Sequence, residues 1–161
     1  MTSSNTAPSG PAGRTFGDLF ATPLPRGLRD DVADLPCDEV FARLGRCSGP
    51  VRLGAWECVD AAAHPRSCTF RATLAFGDRI TTPTASASGP VGALTAMLHD
   101  GGVAVEMLRF HQLRAGTHTA TFVHASNGVR SDWAMGWAQG PDAATDSALR
   151  AVIAAANRLA D

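Results

Sequence analysis

The sequence predicts an α+β fold of two pseudo-repeated βββα units, with antiparallel sheets and helices packed on one face. Two segments share a pattern of three short strands, a Gly-Pro pair and an alanine-rich helix. The pairs are Gly89-Pro90 and Gly140-Pro141. Proline is favoured at the first helical position, so each pair marks a helix start. Two copies are too few for a solenoid, which needs about three stacked repeats.

Composition indicates one globular domain. The chain has 161 residues and a formal net charge of −1, and all 14 of its basic residues are arginine. The charges are scattered, which argues against a surface for nucleic acid or membrane. No apolar run reaches the roughly 18 residues of a spanning helix, and the N-terminus lacks the pattern of a secretory signal. We expect a cytoplasmic protein that binds neither nucleic acid nor membrane.

The N-terminal segment, 1–36, is expected to be disordered or arm-like, and residues 37–161 are expected to form a single domain. The start of the segment is rich in Ser, Thr, Pro, Gly and Ala, a composition typical of disorder. Residues 14–36 carry apolar side chains interrupted by Pro23 and Pro25, a pattern too broken for a core element. We expect this part to lie either on the domain or on a partner.

The first unit follows a short helix that is predicted to end at Gly45. If its first hairpin pairs symmetrically, Trp56 faces Phe70 and Cys58 faces Cys68. The predicted strands are 51–59, 67–76 and 79–87, and the helix after Gly89-Pro90 buries Leu94, Met97 and Leu98.

The second unit has clearer turn signals. Two-residue turns are predicted at Ala115-Gly116 and at Asn127-Gly128, because Asn-Gly is the strongest short hairpin signal. The predicted strands are 103–114, 117–126 and 130–138, and the helix is 142–159.

Strand alternation sorts the side chains of this second sheet onto two faces. One face has Leu108, Phe110, Val123, Ala134, Gly136 and Ala138. The small residues among them let the helix approach closely. The other, called the aromatic face below, has Met107, Arg109, His111, Leu113, His118, Phe122, His124, Trp133, Met135 and Trp137. A face so apolar must be covered by the other half of the domain, by another subunit or by a ligand.

Histidine and cysteine positions give no metal signature. His111 and His118 are expected as diagonal neighbours on the aromatic face, with His124 on the same face. No carboxylate or thiolate is evident beside them, so we expect neither a metal nor a cofactor. The four cysteines lack the C-x-x-C spacing and are expected to be reduced, packed thiols. The pair Cys58 and Cys68 could oxidise if the two residues were directly opposed.

Residues 86–160 contain an ordered set of segments with a family likeness. They are Gly89-Pro90-Val91-Gly92-Ala93-Leu94, Val103-Ala104-Val105 continuing to His111, Val123-His124-Ala125-Ser126, Ser147-Ala148-Leu149-Arg150-Ala151-Val152-Ile153, and Asn157-Arg158. This set resembles the C-terminal regulatory, or dimerisation, domain of α-isopropylmalate synthase and of the related citramalate and homocitrate synthases. The resemblance extends more weakly over 51–85.

The resemblance implies a homodimer that binds an end-product amino acid, leucine in the synthase, between the two units. It puts the effector beside the loops that open the two helices, and free N–H groups and a positive dipole at such loops suit a carboxylate. With His111 added from the aromatic face, the expected ligand-binding residues are Ser88, Gly89, Pro90, Val91, His111, Gly140, Pro141, Asp142 and Thr145.

Departures from the family narrow the implied role. Only about 50 residues precede the first unit, so we expect a free-standing domain without the catalytic barrel. It would serve a partner synthase, with a role in leucine biosynthesis. Ala87 stands where the family has glycine, and Ser147-Ala148 inverts the family's Ala-Ser pair.

Two other functions stay open. The scaffold could be a small enzyme that acts on a pathway metabolite in a Trp- and His-lined cavity, with His111, His124 and Asp132 in acid–base roles and Asp142 as a further candidate acid. It could also be a dimerisation module without a ligand. The sequence contains no nucleophile elbow, Cys-His signature or phosphate loop, so no motif favours an enzyme.

Overall fold

A computed structural model describes residue 15 and residues 24–32, 34–45, 48–64 and 67–160. Within these ranges the chain has mixed α/β content, with antiparallel sheets of four and three strands and four α-helices. The helices are α1 (Arg29–Val32, after a 3₁₀ turn at Arg26–Leu28), α2 (Cys37–Leu44), α3 (Pro90–Asp100) and α4 (Ala143–Ala160). The strands are β1 (Val51–His64), β2 (Ser67–Phe76), β3 (Arg79–Thr81), β4 (Thr84–Ala87), β5 (Glu106–Ala115), β6 (His118–Ser126) and β7 (Ser131–Gln139).

The first sheet has β2 at its centre. β1 pairs with one side of β2, and β3 and β4 pair with different parts of its other side. The single strand predicted over 79–87 is therefore two, because the chain leaves the ladder at Thr82 and Pro83. The Pro83 carbonyl still accepts a hydrogen bond from the N–H of Ala72 at 3.1 Å.

The register of the first hairpin differs from the symmetric prediction. Trp56 pairs with Ala72, and Cys58 pairs with Phe70, so neither predicted pair is directly opposed, although the rings of Trp56 and Phe70 stack at 5.3 Å. The ladder is already offset by one residue at its open end, and an irregularity between Leu53 and Trp56 shifts the register by one more. β1 also continues to His64, five residues beyond the predicted strand end.

Both turns of the second sheet lie one residue later than predicted. Ala115 pairs with His118, and the N–H of Asn127 donates to the carbonyl of Arg130 at 3.1 Å. Gly116 (φ 63°) and Gly128 (φ 91°) are the first turn residues, where a positive φ favours glycine. His111 therefore pairs with Phe122, and the predicted diagonal contact with His118 is wrong.

A bulge in β5 changes the face of one predicted residue. Met107 pairs with Ala125 and Arg109 with His124, which leaves Leu108 as the extra residue. Met107 consequently packs among the residues below α4 and not on the aromatic face. Leu108 was expected against the helix and is instead 48% exposed.

Helix α4 lies between the two sheets. On one side its small residues pack against the second sheet; this cluster contains Val123, Ala125, Ala134, Ala151, Ala154, Ala155 and Leu159. On the other side it joins α3 and the first sheet; that cluster includes Phe70, Leu74, Leu94, Met97, Leu98, Leu149, Val152, Ile153 and Ala156. Two layers of core therefore depend on one helix.

Asn157 links the end of α4 to the start of β1. Its Nδ2 donates to the carbonyl of Val51 and its Oδ1 accepts from the N–H of Val51, both at 2.9 Å. Asn157 is 3% exposed and Val51 2% exposed. The amide side chain thus continues the hydrogen-bond ladder where β1 has no neighbouring strand.

The chain's own N-terminal segment covers the aromatic face of the second sheet. Leu24, Leu28 and Val32 are each less than 5% exposed, so the expectation that they are not core residues is wrong. They share a cluster with Cys37, Val40, Phe41, Leu44, Leu113, Ala120, Phe122 and Met135, with Trp133 and Trp137 at its border. Residues 24–32 therefore lie on the domain. The expected disorder of the first residues falls outside the described ranges.

Candidate functional site

The loop before α3 presents unpaired backbone N–H groups. Gly89 is the N-cap, and no side chain caps the helix. The first helical amide with a described acceptor is that of Ala93, which donates to the Gly89 carbonyl at 3.2 Å. Pro90 has no N–H, so within the described residues the amides of Val91 and Gly92 are left to donate to a ligand or water.

The loop before α4 also opens a helix, and the N–H of Ala143 there donates to the Gly140 carbonyl at 3.2 Å. The N–H of Gly140 donates to the Thr117 carbonyl at 3.2 Å, which ties the loop to the turn between β5 and β6. Gly140 has φ 103°, a conformation that favours glycine. Asp142 is exposed and Thr145 is half-buried. The carboxylate of Asp142 forms no ion pair with a described residue.

A buried polar network fixes the first turns of α4 on the sheet. The hydroxyls of Thr121 and Ser147, both fully buried, are 2.7 Å apart. The Nε2 of Gln112 donates to Thr121 Oγ1 at 2.9 Å and to the Ala144 carbonyl at 2.8 Å. The helix start is therefore held in place by groups on β5 and β6.

The two long helices begin at the same end of the molecule. Asn157, near the end of α4, binds Val51, and Val51 pairs with Phe76. A Cβ added at Gly101, the residue that ends α3, would lie 2.4 Å from the ring of Phe76. Both helix C-termini thus lie at the Val51–Phe76 pair. Since α3 and α4 also contact each other, their N-termini point the same way.

Phe110 offers an apolar surface on this side of the sheet. It lies two residues before Gln112 and so shares the helix-facing side of β5, yet it is 48% exposed. Sequence reasoning assigned Phe110 to packing and did not single out Gln112. The signal that could have identified both is their alternation on the strand next to a helix made of small residues.

His111 does not join the two loops. It lies on the aromatic face, across the sheet from Gln112 and α4. Its Nε2 is buried and has no hydrogen-bond partner among the residues that the structure describes. Of the nine expected ligand-binding residues, the eight in the two loops therefore share the helix side of the molecule, and His111 is separate from them.

The candidate acid–base residues do not converge. His124 stacks on Trp133 at 5.0 Å and faces the N-terminal cover. Asp132 lies on the opposite face, where its Oδ2 accepts from Arg158 at 2.9 Å and its Oδ1 accepts from the N–H of Trp133. His118 similarly stacks on Trp137 at 4.9 Å. The aromatic face, which was expected to line a cavity, is packed against residues from 24–32 and 35–44.

The described residues contain neither a metal-binding cluster nor a helix that could span a membrane. No group of three or more His, Cys, Asp or Glu side chains in those ranges could hold a metal ion. Among the described helices, none combines the length and apolar character needed to cross a bilayer.

No protein-family model matches the chain, and no curated protein sequence matches it significantly. The likeness to the synthase regulatory domain therefore remains a prediction from the segments quoted above.

Proposed function

We propose that this chain is a dimeric regulatory module that binds a small carboxylic acid, with an amino acid as the preferred ligand. The ligand carboxylate would bind the N–H groups at the start of α3, close to the start of α4. The observation that carries the proposal is the shared direction of two contacting helices, the first of which has no side-chain cap among the described residues. Such helix ends attract anions through their unpaired donors and dipole.

The chemistry of the two loops suits the two charged groups of an amino acid. The amides of Val91 and Gly92 would take the carboxylate. Asp142, which has no described ion-pair partner, would take the ammonium group. The exposed half of Phe110 would contact an apolar ligand side chain. We further propose that the two sheet-plus-helix halves are pseudo-repeats, and that ligand binding alters how the homodimer acts on a partner synthase.

Thermal unfolding with candidate ligands tests the proposal. Leucine at a hundredfold excess over its Kd should stabilise the protein by about 2.7 kcal/mol. For a chain of this size that corresponds to a rise in Tm of roughly 5–10 °C. Leucinol, which lacks the carboxylate, should give no rise. Absence of stabilisation by millimolar branched-chain amino acids and 2-oxo acids would contradict the proposal.

A matched pair of variants at Gly89 tests the site itself. Gly89 has an extended backbone, and a Cβ there would meet nothing within 4 Å. In Gly89→Asp the new carboxylate would cap the amides of Val91 and Gly92 from within the chain. This variant should keep or raise the Tm and lose the leucine response. Gly89→Ala, which adds no carboxylate, should retain it; equal responses in both variants would contradict the site.

The same experiments also test the two alternative functions, a small enzyme and a dimerisation module without a ligand. The enzyme is disfavoured because Asp132 lies on the opposite face of the sheet from His124. Stabilisation without turnover supports the regulatory module. A dimer by light scattering that responds to no ligand supports the ligand-free module.

A further inference from the structure

Two cysteines lie on the same face of the first hairpin. Cys58 on β1 pairs with Phe70 on β2, and Cys68 is two residues before Phe70, so the two cysteines are diagonal neighbours. Both are free thiols. Cys58 is exposed, and Cys68 is half-buried beside the core of the first sheet. An attacking reagent therefore reaches Cys58 first.

The ionisation of Cys68 also reports this proximity. Partial burial raises the pKa of the Cys68 thiol, and the neighbouring Cys58 raises it further through its charge and a hydrogen bond. Asp60 adds a smaller effect in the same direction. Cys68 thus holds its proton more tightly than an ordinary cysteine. That behaviour suits the second thiol of a pair better than the first.

We propose that Cys58 and Cys68 form a dithiol site that reacts with low-molecular-weight disulfides to close a reversible bond between β1 and β2. The Cys58 thiolate attacks one sulfur of the external disulfide, whose S–S bond breaks and releases one small thiol. Cys68 then loses its proton, and its sulfur attacks that of Cys58, which releases the second small thiol. The two cysteines are oxidised by two electrons, and the external disulfide is reduced to two thiols.

The strand that carries Cys58 can adjust to bring the sulfurs together. β1 is at the edge of its sheet, so a shift breaks no second ladder. Its register is irregular on both sides of Cys58, between Leu53 and Trp56 and again between Cys58 and Asp60. The proposal does not depend on ligand binding at α3 and α4.

The experiment uses oxidised glutathione and peptide mapping. Trypsin cleaves after arginine, and this sequence then places its four cysteines in four separate peptides: 30–43, 47–52, 53–66 and 67–71. The wild-type chain should give peptide 53–66 linked to 67–71, with no glutathione retained on either. Dithiothreitol should restore both thiols. Glutathione that persists on 53–66, or links formed chiefly to 30–43 or 47–52, would overturn the proposal.

Serine variants separate the two roles. Cys68→Ser should stop at the mixed disulfide and keep one glutathione on 53–66. Cys58→Ser should form no link, and Cys68 should react at least about tenfold more slowly than Cys58 does in the wild type. Circular dichroism should show both variants folded, since serine is close in size and Cys58 is exposed. Equal reaction rates for the two single thiols would contradict the assigned order.

Discussion

The side chain of Asn157, near the end of α4, holds the two halves of the molecule together. Asn157 satisfies both backbone groups of Val51 in a buried position. In Asn157→Ala these two groups lose their partners, and Asn157→Asp replaces the donor by an acceptor that faces a carbonyl. We expect either change to lower the free energy of unfolding by about 2–4 kcal/mol. Urea denaturation measures this, and losses below about 0.5 kcal/mol would contradict the role.

Gly136 sets how closely α4 approaches the second sheet. A Cβ on Gly136 would lie 1.9 Å from the carbonyl oxygen of Ser147 and 2.5 Å from the backbone nitrogen of Ala151. Both neighbours are backbone atoms of a central helix, so relief requires the helix to move. Gly136→Ala should therefore cost about 3 kcal/mol or more.

Gly89→Ala is the matched control for this change. It adds the same methyl group where nothing lies within 4 Å, and it should cost at most about 1 kcal/mol. Chemical denaturation of both variants compares them directly. Similar losses would show that close helix packing is not what requires glycine at position 136.

At the scale of elements, the N-terminal segment acts as the cover of the aromatic face. Leu28 of this segment is 2% exposed, and the exposed Arg26 and Arg29 lie on either side of it in the chain. Arg158 fastens the neighbouring helix α2 by donating to the Arg43 carbonyl. Leu28→Ala should release the segment by removing about 2–4 kcal/mol of packing.

Limited trypsin digestion measures this release. Cleavage after Arg26 and Arg29 should be faster in Leu28→Ala than in the wild type, and tryptophan emission should shift to the red. Ile80→Ala is the control, because Ile80 is apolar but 71% exposed. An unchanged cleavage rate in Leu28→Ala would show that the segment is not held by this contact.

The sequence predicted elements better than their junctions. Alternation identified both hairpins and the helices after Gly89-Pro90 and Gly140-Pro141, because burial imposes periods that are visible in the residues. The predicted turns lie one residue too early, because Gly116 and Gly128 occupy the first turn position and not the second. The sequence leaves open whether the N-terminal segment lies on the domain or on a partner, because its prolines interrupt any regular apolar period. The bulge at Leu108 leaves no pattern in the sequence.

At the scale of the whole molecule, α4 connects the proposed site to both cores. Its first turns are bound to Gln112 and Thr121, its middle packs on both layers, and its end binds Val51. The eight loop residues of the candidate site come from the resemblance to the synthase regulatory domain, and the Gly-Pro pairs only mark the helix starts beside them. The separation of His111 from them follows from strand alternation, which already puts His111 on the aromatic face, opposite the helix.

Asp142 gives a prediction about ligand class. If its carboxylate binds the ammonium group, Asp142→Asn should lose most of the stabilisation by leucine. The same variant should keep the stabilisation by 4-methyl-2-oxopentanoate, which has a carboxylate but no ammonium group. Thermal shifts with the two ligands measure the difference. Equal losses for both would place the ammonium group elsewhere.

The most direct test of the central claim is a ¹H–¹⁵N correlation spectrum recorded during a leucine titration. Backbone N–H groups are the proposed ligands, so their resonances report binding themselves. The account predicts saturable shifts concentrated at Val91, Gly92 and the amides of 142–146. Shifts that leave these amides unchanged, or no shifts at millimolar leucine or 4-methyl-2-oxopentanoate, would contradict it.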